Sequence, residues 1–306
     1  MKKRIGRILI WIVGLLVIAA GTIYAISEIR IAKVYDDVKL TSISIPATDD
    51  LLALEKGKHL ATAVLKCTEC HGDHFGGKTM LNEPSTIGVL AGSNLTTGKG
   101  GIGKSYTTED WIRAIRYGLA PDRHALMVMP SNGFYHLSDG DLGAIVAYIK
   151  SQPPVDSDSI PTKSLGPLGR ALFVFGVLPL FPADEIDRSV ERRETPPPGV
   201  TVEYGKHLAE MSGCTECHGP QLSGGKIPGA PPDFPPSTNI TPDKATGIGN
   251  WTEADFYKAL RTGRRPDGTE INPIMPWKYI GQMTDDELRA IYMYIQTFPA
   301  RAEGTR

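Results

Sequence analysis

Two cysteines three positions apart, with a histidine directly behind the second, suit one kind of chemistry above others. Cys67-Thr68-Glu69-Cys70-His71 has that arrangement, and it returns unchanged as Cys214-Thr215-Glu216-Cys217-His218. On one helical turn the two sulfurs lie on the same side, where each can form a thioether with a porphyrin vinyl group while the histidine points at the metal. The two copies use all 4 cysteines of the chain, so no thiol remains for a disulfide or a separate metal site. A zinc half-site, a redox dithiol or a local disulfide would also use Cys-x-x-Cys. The attached histidine, the exact repetition and a partner methionine at matching distance argue instead for two covalently bound haem c groups.

An iron held by His71 or His218 has a further axial position, and what fills it decides the function. Met129-Pro130 follows His71 by 58 residues, and Met275-Pro276 follows His218 by 57. A thioether is soft and binds low-spin iron in both oxidation states. Proline after the methionine disfavours the α conformation there and keeps it in an extended loop that can cross a haem face. The competing reading is a core-filling methionine, against which the matched spacing speaks. Met127 is a rival in the first copy, but its aligned position in the second is Pro273, so Met129 is preferred. His59 and His207 recur in both copies and read as partly exposed structural histidines. His74, His124 and His136 occur in the first copy alone. Arg116 and Arg261, aligned ahead of the methionine loops, are candidates to neutralise propionates or to face solvent.

The elements that must position these residues repeat with them. Gly57-Lys58-His59-Leu60-Ala61 matches Gly205-Lys206-His207-Leu208-Ala209, and Gly76-Gly77-Lys78 matches Gly224-Gly225-Lys226. Asn94-Leu95-Thr96 and Gly101-Ile102-Gly103 return as Asn239-Ile240-Thr241 and Gly247-Ile248-Gly249, at offsets that stay between 145 and 148. The chain is a tandem duplication of a domain of about 105 residues, a size that folds alone. Each copy has a short helix announced by Thr107 or Thr252 and stopped by Gly118 or Gly263, and a last helix opening at Ser138 or Thr284. Pro153 and Pro299 lie just beyond the last helices. No segment alternates convincingly with period two, so helices and long loops are expected.

Of the 306 residues, 33 are Lys or Arg and 34 Asp or Glu, a net charge of −1. The first thirty residues carry Lys2, Lys3, Arg4, Arg7 and Arg30 against Glu28, so the remainder is acidic, which argues against nucleic acid as a partner. Ile8 to Ile26 is 19 residues without a charge, about 28 Å as a helix and close to the hydrocarbon thickness of a bilayer. A cleaved signal peptide would have a shorter apolar region and a clearer small-residue site than Ala25-Ile26-Ser27. The expectation is therefore an uncleaved single-pass anchor in the cytoplasmic membrane. Its basic end stays cytoplasmic by the positive-inside rule, with the haem domains on the periplasmic side. The expected organisation is anchor 1–30, tether 31–48, first domain 49–155, connector 156–198 and second domain 199–306. In the connector, the apolar piece Ala171 to Leu180 is too short to span a bilayer. It reads as packing against both domains, with a docking surface for a membrane partner or the bilayer face as the alternative.

With these residues in view the chain resembles the membrane-anchored dihaem cytochromes c, in which two class I-like cytochrome c domains follow one N-terminal transmembrane helix. The likeness rests on Cys-x-x-Cys-His, the Gly-Lys-His-Leu-Ala helix, the Met-Pro loop and the final capped helix carrying Tyr148 or Tyr294. It extends to the cytochrome subunits of membrane-bound dehydrogenases. The resemblance implies a mainly α fold in which the first and last helices of each domain cross, at Gly57 with Tyr148 and at Gly205 with Tyr294. Histidine and methionine together close the iron's coordination sphere and raise its potential. The function expected is thus passage of single electrons in a respiratory or dehydrogenase-linked chain, with no catalytic residue. Cys67, Cys70, His71 and Met129 would hold one haem; Cys214, Cys217, His218 and Met275 the other. Partners would be a dehydrogenase, a quinol-oxidising complex or a terminal oxidase. A dihaem subunit of a haem-copper oxidase and a dihaem peroxidase are the alternatives.

Overall fold

A run without charge satisfies its backbone internally, and residues Lys2–Ile31 form one helix, α1. The computed structural model describes residues 2–157, 160–228, 230 and 233–305. The side chains of Lys2 and Lys3, part of the expected basic cluster, lie outside the described residues. From Arg4 to Ile31 the helix is long and apolar enough to cross a membrane.

Each copy then folds around two crossing helices. In the first, α2 (Leu51–His59) starts at Asp50, whose carboxylate accepts from Ala53 N at 3.1 Å. It runs through a π turn, Leu60–Val64, to the motif helix α3 (Cys67–His71) and packs on α6 (Asp139–Lys150). In the second, α8 (Val202–Met211) precedes α9 (Cys214–His218) and packs on α12 (Asp285–Gln296). The expected crossing is present, and a missing side chain sets its closeness. A Cβ on Gly57 would lie 2.0 Å from Ala144 O and 2.9 Å from Tyr148 Cβ; one on Gly205 would lie 1.9 Å from Ala290 O. The second crossing thus sits on Ala290, one turn before Tyr294.

The expected helix ends are also present. In α4 (Thr108–Tyr117), α10 (Glu253–Thr262) and α12, a threonine and the third residue along form reciprocal capping boxes: Thr107 with Asp110, Thr252 with Asp255, Thr284 with Glu287. Gly118 and Gly263 terminate α4 and α10 at φ +65° and +69°. The short helices α5 (Ser131–Phe134) and α11 (Trp277–Ile280) directly follow the Met-Pro pairs.

Three features depart from the sequence reading. Strands β1 (Lys78–Glu83), β2 (Gly88–Gly92) and β3 (Ser164–Leu165) form an antiparallel sheet in that order. Gly92 lets β2 press on the haem motif: a Cβ there would lie 2.0 Å from Cys70 O. Second, residues 32–48 pack on the first domain and the connector, with Tyr35 and Ile43 buried, Tyr35 N donating to Arg123 O of the domain at 3.1 Å and Tyr35 Oη to Asp184 of the connector at 2.7 Å. Third, the apolar connector piece does not pack on both domains. Its helix α7 (Pro167–Val174) lies on α1, and Phe173, Leu180 and Phe181 form a small core with Ile31, Met127 and Val128.

Gly57→Ala is expected to cost at least about 2 kcal/mol, because backbone rather than a flexible side chain blocks the new methyl. Thermal unfolding of the haem-loaded protein checks this, and a variant as stable as the parent would mean the crossing is looser than described.

Candidate haem-binding sites

The histidine of each motif is fixed by a carbonyl. His71 Nδ1 donates to Ser93 O at 2.8 Å, and His218 Nδ1 to Thr238 O at 2.7 Å. A carbonyl only accepts, so both imidazoles carry their proton on Nδ1 and their lone pair on Nε2, the tautomer that binds a metal through Nε2. Burial also pushes the His71 pKa down and keeps the ring neutral.

The carbonyls are placed by the repeated Asn-x-Thr. Asn94 Oδ1 accepts from Thr96 N and Oγ1 at 2.9 and 2.8 Å, while its Nδ2 donates to Val155 O at 2.7 Å. Asn239 does the same with Thr241 at 2.9 and 2.8 Å and with Arg301 O at 2.7 Å. All four side chains are buried. Each motif thus ties the loop behind the histidine to the segment after the last helix, which positions the acceptor to within a hydrogen bond.

Opposite each histidine opens a cleft. The first, of about 910 Å³, is lined by Cys67, Cys70, His71, Met129 and Trp111 among largely apolar neighbours. The second, of about 1350 Å³, is lined by Cys214, His218, Met275, Trp251 and Phe256. Cys217 borders an adjoining cavity with Met275. Motif and methionine therefore converge on one space in both copies. None of His59, His74, His124, His136 and His207 lines either cleft. Met127 lines the first beside Met129, so position alone does not separate that pair.

The residues present fit a porphyrin. The walls are apolar, and Trp111 Nε1 is buried in the first cleft without an acceptor, as expected of a donor waiting for a bound group's oxygen. Burial pushes the Cys67 thiol up to about 12 and raises Cys70 and Cys214, which does not suit a redox dithiol, whose chemistry needs a lowered thiol. Among the described residues no group of three or more His, Cys, Asp or Glu side chains could hold a metal ion.

Arg116 and Arg261 do not line the clefts: each binds the aspartate that begins the last helix, Asp139 at 2.8 Å and Asp285 at 2.7 Å, with Arg116 buried and Arg261 facing solvent, the alternative the sequence left open. Lys66 and Lys163 both line the first cleft; Lys163, from the connector, is partly buried, with its pKa lowered by desolvation and its Nζ donating to Ser93 Oγ at 3.3 Å. Nothing in the sequence marks it. Nor does the repeat mark Trp111, whose counterpart in the second copy is Phe256.

The two sites face each other. A cavity of about 860 Å³ between the domains is bordered by Cys70 and Phe134 from one side and by Cys214, Cys217 and Met275 from the other. Lys66, just ahead of the first motif, donates its Nζ to Ser212 O, just ahead of the second. His59 Nε2 lies 2.8 Å from both carboxylate oxygens of Glu287, closing the same interface.

The description of cytochrome c matches residues 202–299, and that of the cbb3-type cytochrome c oxidase subunit III matches residues 52–149. Both halves are cytochrome c domains. Among relatives, the fructose dehydrogenase cytochrome subunit of Gluconobacter japonicus is 40% identical over 85% of this chain and 55% of its own length. The cytochrome c subunit of the quinone-dependent alcohol dehydrogenase of Gluconobacter oxydans is 29% identical over 83% of the chain and 56% of its own length. A dihaem c-type cytochrome of Cereibacter sphaeroides is 27% identical over 65% of the chain and 68% of its own length. The chain spans little more than half the length of the two dehydrogenase subunits. It is an electron-transfer cytochrome rather than a catalytic subunit, and it carries two covalently bound haem c groups.

Two outcomes follow. Lys163→Met removes a buried positive charge beside His71 and is expected to lower one of two potentials in a redox titration, on the order of 50 mV, leaving the other in place. Burial alone would raise the Glu287 carboxyl, but His59 and the Thr284 cap hold it below its ordinary value. That contribution is full above the carboxylate range near 4.3 and lost as pH falls through the lowered value. Glu287→Gln is therefore expected to cost about 1–3 kcal/mol at pH 7 and progressively less in acid, as read by thermal unfolding at both pH values.

Proposed function

We propose that this cytochrome is a membrane-anchored relay that takes single electrons from a dehydrogenase and passes them between its two domains to a further acceptor. The observation that carries this is the convergence, in both copies, of Cys-x-x-Cys, a carbonyl-locked histidine and the Met-Pro loop on clefts that meet across one cavity. The dehydrogenase partner is supported by the names of the relatives at 40% and 29% identity. The oxidase alternative has only the likeness of one domain behind it.

Bound haem supplies reversible one-electron chemistry between ferric and ferrous iron. Cys67 with Cys70, and Cys214 with Cys217, tether it through thioethers. His71 and His218 each offer Nε2 on one side, with the Nδ1 hydrogen bond fixing the ring's orientation and raising its basicity. Met129 and Met275, which line the same clefts, would offer sulfur as the second ligand. A sphere closed this way leaves no position for peroxide, which speaks against the peroxidase reading. The domain division 49–155, 156–198 and 199–306 follows from the repeat. α1 is read as a single-pass anchor in the cytoplasmic membrane, and the haem domains as periplasmic, because thioether attachment of this kind takes place outside the cytoplasm.

Met129→Ala and Met275→Ala test the ligand assignment. Each is expected to remove about half of the methionine-to-ferric-iron absorbance in the far red and to lower one potential of the pair. Unaltered spectra in both variants would overturn it.

A further inference from the structure

The apolar stretch inside the connector has no role in either cleft's chemistry, and its placement gives it one. α7 packs on the last two turns of α1. Arg170 Nη1 donates to the fully buried Ser27 Oγ at 2.5 Å and pairs with Glu28 at 2.6 Å, and its guanidinium lies 4.3 Å from the centroid of the Tyr24 ring. Arg30 Nη1 in turn donates to the last carbonyls of α7, Phe173 O at 3.3 Å and Val174 O at 3.1 Å.

These contacts fix the height of α7 along the anchor. The uncharged run ends at Ile26, so residues 24 to 30 lie at the boundary between hydrocarbon and headgroups, where tyrosine and arginine are the usual anchors. An element bound to those residues lies at the same level. One part of α7 and its following turn is buried, through Phe173, Leu180 and Phe181. The other presents Leu168, Phe175 and Val177, which are 50%, 71% and 45% exposed. Large apolar side chains gathered beside the emerging end of an anchor are suited to an interfacial element.

We propose that Leu168, Phe175 and Val177 insert into the headgroup and acyl boundary of the outer leaflet, so that α7 is a second, monotopic membrane contact. The proposal rests on the reading of α1 as a bilayer anchor. Its consequence is that the first haem domain is held at a set height and tilt. β3 joins α7 directly to the sheet that presses on Cys70, and Leu180 O accepts from Val128 N beside Met129 at 2.8 Å.

The test uses the full-length, haem-loaded protein reconstituted in vesicles of phosphatidylcholine and phosphatidylglycerol, with the haems reduced. Single cysteines at Phe175, Ile18 and Thr262 are spin-labelled, and collisions with oxygen and with a water-soluble nickel chelate are compared. Ile18 lies in the middle of the anchor, and Thr262 is exposed at the end of α10 in the second domain. The Phe175 label is expected to resemble Ile18 in favouring oxygen, several-fold above Thr262; Val177→Cys serves if Phe175→Cys does not accumulate. If Ile18 is in lipid and Phe175 and Val177 are in water, the inserted contact is overturned and the surface is left for a partner protein. If Ile18 itself is in water, the anchor reading falls and takes the proposal with it.

Discussion

A hydrogen bond from an imidazole Nδ1 to a backbone carbonyl governs most of what lies around it here. It fixes the proton on His71 and His218, and hence the nitrogen each can offer to iron. The carbonyl must arrive within about 0.3 Å of the right place for such a bond to form. A loop has no intrinsic reason to be that precise. Buried Asn94 and Asn239 supply the precision by bonding to their own loop and to the chain beyond the last helix at once. That distant segment is in turn located by the glycine-mediated crossing of the first and last helices. Sequence positions nearly a hundred residues apart are thus joined in one mechanical path to a single nitrogen lone pair.

Much of this was legible in the residues. The cysteine motif and the helix caps carry their cause locally, the crossing glycines follow from the family resemblance, and the second copy is an internal control on each assignment inside the repeat. The same control had costs. Trp111 is not marked by the repeat, where Phe256 replaces it, and Lys163 lies in a connector that has no repeat at all. The equivalence of Arg116 and Arg261 is legible, but not their partners, the aspartates that open the last helices. The sheet is not legible in the sequence: β1 is exposed almost throughout, while β2 is a glycine-bounded piece buried on both sides. Neither shows the alternation of a half-buried strand.

The copies also differ where it matters for their chemistry. The first cleft has a desolvated ammonium in its wall and a sheet against its motif helix. The second cleft has Arg265 and Asp267 in its wall. A carrier with two centres needs unlike surroundings to give its electrons a preferred resting place, and one fold with locally different charges is an economical way to arrange that.

The mode of packing between the halves carries a historical implication. α5 rests on α8, and the equivalent α11 rests on the π turn at 60–64, the counterpart of the end of α8. His59 meets Glu287 across the same boundary. Contacts exchanged in this reciprocal way are those of an isologous pair. Duplication of a domain that pairs with its own copy in this way accounts for the exchange, and the connector and anchor, which have no counterpart in the repeat, are where the halves differ.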